Sequence, residues 1–424
     1  MTKTNQNDDA PARSLAQWLD YLESVHPTTI DMGLERVQRV ATRLAFDFSS
    51  QLVITVAGTN GKGTTCRFLE QALLSQGKTT GVYSSPHLID YRERVRLNGE
   101  LQPEPEYCRA LEAVEQARGE ISLTYFEFGT LAALYMFSQW QVDAIILEVG
   151  LGGRLDATNI VDPNIAVITT IDLDHQDWLG NTREKIALEK AGIFRDHGSA
   201  VVGELFPPRT LMAEAERRNV NTWWASQHFE FMPGDKTWAW RGQASQFTQL
   251  PVPRIPMQNV STALAVLEKL DLLPSQDSVR QIIQQTDMPG RQQILSDTPQ
   301  IVLDVAHNPQ ATRAMASWIG QKDYRQLYFV VGMLKDKAIN ETLAPLTAIS
   351  ANWYVADTKG PRGCKADVLA AALSANDIHQ SRLFNCVEEA FTRAKAAAGD
   401  DDLIVVFGSF LTVADVLATQ SQSE

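Results

Sequence analysis

Residues 52–74 read LVITVAGTNGKGTTCRFLEQALL. The first six are apolar and mostly β-branched without alternation, the pattern of a strand buried on both faces of a parallel sheet. A glycine-rich turn follows at once, and CRFLEQALL then places apolar residues at helical spacing. Strand, glycine loop and helix start form the context in which a loop cradles phosphate. The glycines let backbone N–H groups converge on phosphate oxygens, and the helix N-terminus adds a favourable dipole. The spacing departs from GxxxxGK[ST]: Gly63 follows Lys62, and the hydroxyls come one place later, at Thr64 and Thr65. It is a variant phosphate loop. Lys62 is placed to reach the β- and γ-phosphates, and Thr64 or Thr65 to serve a metal or a phosphate.

Further apolar runs at 79–84, 143–149, 164–171 and 199–204 alternate with helical segments, so the sheet continues with helical crossovers. Leu34, Val37, Val40 and Leu44 mark an amphipathic helix before it. DAIILEV ends near Glu148, the place of a carboxylate that orders a metal ion. The next run, AVITTI, leads into DLDHQDWLG. Asp172, Asp174, His175 and Asp177 therefore fall at the carboxyl edge of the sheet, where ligands of open α/β sheets bind. A carboxylate, an imidazole and a hydroxyl at that edge make an open Mg²⁺ site completed by waters and phosphates. No NKxD base-reading motif is present, which argues against a GTPase.

The stretch 204–256 differs in texture. FEFMPGDKTWAWRG predicts a hairpin around Pro-Gly-Asp, and the Pro-rich LPVPRIP leads to a helix in QNVSTALAVLEKL. TDMPGRQQIL has the composition of a hinge. Strand–helix alternation restarts at 300–305, 326–332, 352–357 and 402–408. The expected architecture is α/β: a P-loop parallel-sheet ATPase domain followed by a smaller doubly wound, Rossmann-like C-terminal domain. The expected boundaries are a disordered leader at 1–12, a first domain at 13–287, a hinge at 288–296 and a second domain at 297–424.

A length of 424 residues fits two or three domains. The net charge of −13 weighs against a nucleic-acid partner. No run of about 18 apolar residues occurs, so no membrane span is expected. The polar, acidic start does not resemble a signal peptide, and four cysteines without a CxxC suit a reducing cytoplasm. In YRERVRLNG, Arg92, Arg94 and Arg96 are expected on a solvated strand edge, the alternative being one arginine that steers an anionic substrate tail.

GTNGKGTT, SSPHL, LTYFEFGTLAAL, EVGLGGRLDATN, DLDHQDWLG, EKAGIF, PGR and DVAHNP occur in this order. In these motifs the chain resembles folylpolyglutamate synthases and dihydrofolate synthases of the Mur ligase superfamily, most of all the bacterial bifunctional type. The resemblance runs from about Thr28 to about Ser409. It implies an ATP-dependent ligase that joins L-glutamate to 7,8-dihydropteroate and extends reduced folates with further glutamates, using two Mg²⁺ ions and acting as a monomer. It implies that Gly58, Thr59, Asn60, Gly61, Lys62, Gly63 and Thr64 hold the ATP phosphates and that Asn259 lies on the adenine side. Ser85, Glu148 and His175 match metal ligands, and Lys190 matches a carbamylated lysine that orders a second ion. Arg291 and Asp304 match residues that bring the second domain onto the nucleotide. His307 and Asn308 complete that loop near the phosphates or the incoming glutamate. The pterin end is expected against Thr29, Ile30 and Asp31, against Thr124, Tyr125, Phe126 and Glu127, and against Arg154, Leu155, Asp156 and Ala157. For Phe126 a place in the core is the competing expectation; for Lys190, a helix C-terminal cation complementing the dipole. A cell-wall peptide ligase of the same superfamily is the nearest rival, disfavoured because only 57 residues precede Gly58.

Overall fold

The computed structural model describes residues 13–421 apart from Pro27 and Thr29. The leader expected at 1–12, and Thr29 among the expected pterin contacts, lie outside the described residues.

Eight strands form the first sheet: β1 (Leu52–Ala57), β2 (Thr80–Tyr83), β3 (Val95–Leu97), β4 (Glu100–Leu101), β5 (Ala144–Glu148), β6 (Ile165–Ile168), β7 (Ser199–Val202) and β8 (Asn221–Trp224), in the order β4-β3-β2-β5-β1-β6-β7-β8. Along the sheet from β2 to β8 every pairing is parallel; at the other end β2–β3 and β3–β4 are antiparallel. The central strand β1 is flanked by β5 and β6, so the loop that leaves β1 is bracketed by the chain leaving those two neighbours. Both faces are covered, as the unbroken apolar runs require. One face carries the helix Lys62–Leu74 and the helix Met257–Lys269; the other carries the helix Tyr125–Trp140 and the helices Leu15–Val25 and Glu35–Leu44. The expected hairpin forms β9 (Glu230–Pro233) and β10 (Thr237–Arg241), joined by β11 (Gln246–Pro251) in a small sheet over the first of these faces.

The second sheet holds β12 (Gln293–Asp297), β13 (Gln300–Asp304), β14 (Leu327–Val331), β15 (Asn352–Ala356), β16 (Ser381–Phe384) and β17 (Leu403–Phe407), in the order β12-β13-β17-β14-β15-β16. All pairings but β12–β13 are parallel, and helices bury both faces. β12 begins at Gln293, inside the segment expected to be a hinge, where Gln293 and Ile294 pair with Leu303 and Val302. One side chain from the first domain enters this core: Leu88, in the loop after β2, clusters with Val305 and Val413. No helix among the described residues is long and apolar enough to cross a membrane.

Candidate active site

The phosphate loop is built by the strands on either side of it. Thr59 N–H donates to Thr170 O (2.8 Å) and its hydroxyl to Asp172 O (3.0 Å). The hydroxyls of Thr169 and Thr170 donate to Asn60 O at 2.6 and 3.1 Å. The N–H groups of Thr59 and Asn60 are taken by Thr170, which leaves those of Gly61, Lys62, Gly63 and Thr64 at the helix start for an anion. Two glycines are required by space. A Cβ at Gly58 would lie 1.8 Å from Thr169 Oγ1; at Gly61, where φ is +86°, it would lie 2.5 Å from Asn259 Oδ1. Asn259 donates to the Thr64 hydroxyl (2.7 Å), which in turn donates to Gly61 O (3.0 Å). Thr64 is thus occupied within the loop, whereas the buried Thr65 hydroxyl has no hydrogen-bond partner among the described residues. Lys62 folds over the loop onto Gly58 O (3.0 Å) and Thr59 O (3.2 Å). Burial lowers its pKa, partly offset by Glu148 and Asp174.

Glu148, at the end of β5, is buried and faces the same loop; a Cβ on Gly63 would sit 3.4 Å from its Oε2. That oxygen accepts the Ser85 N–H at 3.3 Å. Among the described residues Glu148 forms no ion pair. Burial raises its pKa, and Lys62, Arg291 and Arg96 oppose the rise. A buried carboxylate with one hydrogen bond and nearby but non-contacting cations suits a divalent ion. His175, at φ +50°, ends the turn after β6, and burial lowers its pKa to about 4, so its ring is neutral and can ligate. Among the described residues no three His, Cys, Asp or Glu side chains converge on one metal position. Of the expected donors, Glu148 and Ser85 meet through the Ser85 N–H, and His175 Nε2 lies beside Lys337 and Asp174. Lys190 is buried at the end of its helix; burial, with Lys62 adding to it, brings its pKa to about 7. An amine neutral near physiological pH is what carbamate formation needs.

The second domain meets this edge at Asp174. Its carboxylate accepts from Lys337 Nζ (2.8 Å) and Asn308 Nδ2 (3.2 Å), and His307 Nε2 lies 3.5 Å away. Burial alone would raise the Asp174 pKa, but the His307 hydrogen bond and the Lys337 charge outweigh it and hold the carboxyl ionised. Lys337 Nζ is also 3.5 Å from His175 Nε2. Asn308 exchanges amide hydrogen bonds with Asn60 of the phosphate loop (2.9 and 3.1 Å), and Asn60 also donates to Gln310 Oε1. Arg313 pairs with Asp172. Asp304 is buried and accepts from Ala306 N–H (2.8 Å) and Gln292 N–H (3.2 Å), orienting the loop that follows β13. Arg291 stands over the Phe410 ring at 5.7 Å. Lys337, Gln310 and Arg313 escape sequence reasoning; only DVAHNP, just before Gln310, signals that this region matters.

The expected pterin segments converge in part. Arg36 joins two of them, pairing with Asp31 (2.7 Å) and Glu127 (3.0 Å). Thr124 and Glu127 cap the helix Tyr125–Trp140 reciprocally, a structural duty. Phe126 packs on Gly150, where a Cβ would meet its ring at 2.5 Å, and is only partly buried. Tyr125 packs edge-on to Tyr91 beneath Arg94. Asp156 is fully engaged, accepting from Gly150, Leu151 and Thr158 N–H and from the Thr158 hydroxyl. It shapes the GLGG turn and has no acceptor to spare. Arg154 is exposed and pairs with Glu189, Leu155 is half-buried and Ala157 is buried. Ile30 is half-buried. Of the arginines expected on a solvated edge, Arg92 keeps a third of its side chain exposed while paired with Asp90, Arg94 is half-buried and donates to His87 Nδ1, and Arg96 departs, turning in to the buried Glu70.

The Mur ligase middle domain matches residues 56–255, and the Mur ligase glutamate ligase domain matches residues 290–410. The chain is 47% identical over 408 residues to the dihydrofolate synthase/folylpolyglutamate synthase of Escherichia coli, spanning 96% of this chain and 95% of that protein. It superposes with a TM-score of 0.94 and 45% identity on E. coli FolC in complex with DHPP and ADP, covering 97% and 99% of the two chains. A bifunctional folylpolyglutamate synthase/dihydrofolate synthase with Mn, AMPPNP and L-glutamate bound gives 0.91 at 46% identity, over 96% and 98%. The chain belongs to the dihydrofolate synthase/folylpolyglutamate synthase family of Mur ligases.

Proposed function

We propose that this cleft joins L-glutamate to 7,8-dihydropteroate and adds further glutamates to reduced folates, using ATP. The observation that carries it is the meeting of the two domains on Asp174, with the phosphate loop and Glu148 on one side and His307, Asn308 and Lys337 on the other. An ionised carboxylate resists attack by an amine. Passing the γ-phosphoryl group to the pteroate or glutamyl carboxylate gives an acyl phosphate, and glutamate's amine then displaces phosphate through a tetrahedral intermediate. Both steps concentrate negative charge, so catalysis is positioning and neutralisation.

Gly58–Thr64 holds the phosphates by N–H groups, and Lys62 leaves its carbonyls to meet the γ-phosphoryl oxygens. Divalent ions, when bound, neutralise the phosphates and polarise the transferred group. Ser85, Glu148 and His175 would hold one, and a carbamylated Lys190 a second. Arg291 and Asp304 set the second domain over the nucleotide. Lys337 supplies the positive charge, and His307 a neutral hydrogen-bonding ring, on the face that receives the amino acid's carboxylates. Closure of the domains shuts water away from the acyl phosphate. We place the first domain at 13–287 and the second at 297–424, with one chain sufficient for the site and the cytoplasm as its location.

The test offers purified protein Mg-ATP, labelled glutamate and either dihydropteroate or tetrahydrofolate. Glutamate-dependent ADP release with a γ-glutamyl product from both acceptors supports the proposal. Turnover only of UDP-muramyl acceptors overturns it.

A further inference from the structure

In the motif YRERVR, expected on a solvated edge, Arg96 turns inward, and it is not used by the chemistry above. Glu93 accepts the N–H groups of Leu88 (2.7 Å), Ile89 (2.9 Å) and Asp90 (2.7 Å), closing the loop after β2. Arg96, on β3, has only 12% of its side chain exposed. Its Nη1 donates to Ser84 Oγ (3.2 Å), and its Nε lies between the two oxygens of Glu70, at 3.2 and 3.1 Å. Glu70 is wholly buried on the helix that the phosphate loop initiates, and its Oε2 also accepts from Arg67 at 2.8 Å. Ser84 is followed by Ser85, whose N–H reaches Glu148 at 3.3 Å.

A continuous line of bonds thus runs from the phosphate-loop helix through Glu70, Arg96 and Ser84 to Ser85 and Glu148. A buried guanidinium–carboxylate pair is costly to desolvate, and apolar side chains of like volume fill such space at least as stably. Its use here fits a demand for position. We propose that Arg96, locked by Glu70, is a positioning residue for the metal end of the site: it fixes Ser84, and so the height at which Ser85 and Glu148 face the phosphates. This rests on the assignment of Ser85 and Glu148 to the metal.

The test is Mn²⁺ binding, followed by electron paramagnetic resonance with a non-hydrolysable ATP analogue, so that no turnover is needed. Glu148→Gln is the reference; if it leaves Mn²⁺ affinity unchanged, the metal assignment itself fails. With that reference weakened, Arg96→Met and Glu70→Gln are each expected to lower Mn²⁺ affinity by about tenfold or more, as partners of metal ligands do. Analogue affinity without metal should stay as in the parent, and Arg96→Lys should recover part of the loss. A lower melting temperature with unchanged Mn²⁺ affinity in Glu70→Gln or Arg96→Met overturns the proposal. If Arg96→Met does not fold, Glu70→Gln and Arg96→Lys decide it by the same readout.

Discussion

The phosphate loop at 58–64 and the loop after β13 at 305–310 face each other, but they are held in different ways. The first is closed by its own sheet: Thr169, Thr170 and Lys62 take its carbonyls, and the exit of β6 takes Thr59. The second finds its polar partners across the cleft, with Asn308 on Asn60 and Asp174, and Gln310 on Thr170. One half of the site exists ready-made in a single domain. The other half is assembled by docking, and Asp174 is the residue that belongs to both.

If that contrast is right, damage on the first side should spoil the chemistry, and damage at the junction should spoil docking. Lys190→Ala is expected to have the largest effect, a loss on the order of 2.7–4 kcal/mol of transition-state stabilisation. Steady-state kcat and a nucleotide titration check it: kcat collapses while ATP affinity is kept. Asp174→Asn leaves the buried Lys337 ammonium without its counter-charge, a loss of about 3 kcal/mol, the low end for a broken buried pair. Denaturant midpoints would report it, and small-angle scattering would show a more open molecule with nucleotide binding retained. Near-normal scattering would break the contrast, because docking would then not depend on Asp174.

Gly61→Ala forces a left-handed conformation and a clash with Asn259. It should cost about 1–3 kcal/mol, seen as weakened ATP binding with the second domain unaffected. Lys190 also gives a pH test. Its folded pKa, about 7, lies below its unfolded value, so between these values the unfolded chain binds more protons and stability rises with pH. Denaturant midpoints in metal- and CO₂-free buffer should climb from pH 7 to pH 9, and Lys190→Met should flatten that climb. Arg313→Ala removes a half-exposed pair with Asp172 and should change stability by less than about 1 kcal/mol. A larger loss would move weight from Asp174 to the rim of the cleft.

The same contrast explains what could be read from sequence. Residues 52–74 carry strand, turn and helix in consecutive order, so local pattern suffices, and Glu148 and His175 follow because strand ends in a parallel sheet share one edge. The contact of Lys337 with Asp174 joins residues 163 apart and leaves no local pattern. Arg96 looked solvent-facing because alternation marks a half-exposed strand; the buried Glu70 that turns it inward sits on a helix 26 residues earlier. Asp156, Thr124 and Glu127 were matched to substrate segments by motif, yet their hydrogen bonds organise the turns themselves.

The most direct test of a centre shared by two sheets is a crystal grown with Mn²⁺ and a non-hydrolysable ATP analogue, with the metal located by anomalous scattering. The account predicts an anomalous peak coordinated by Glu148 and His175 and by phosphate oxygens cradled in residues 58–64, with His307 and Lys337 closing over it. A peak bound elsewhere, with Glu148 and His175 unligated, would contradict it.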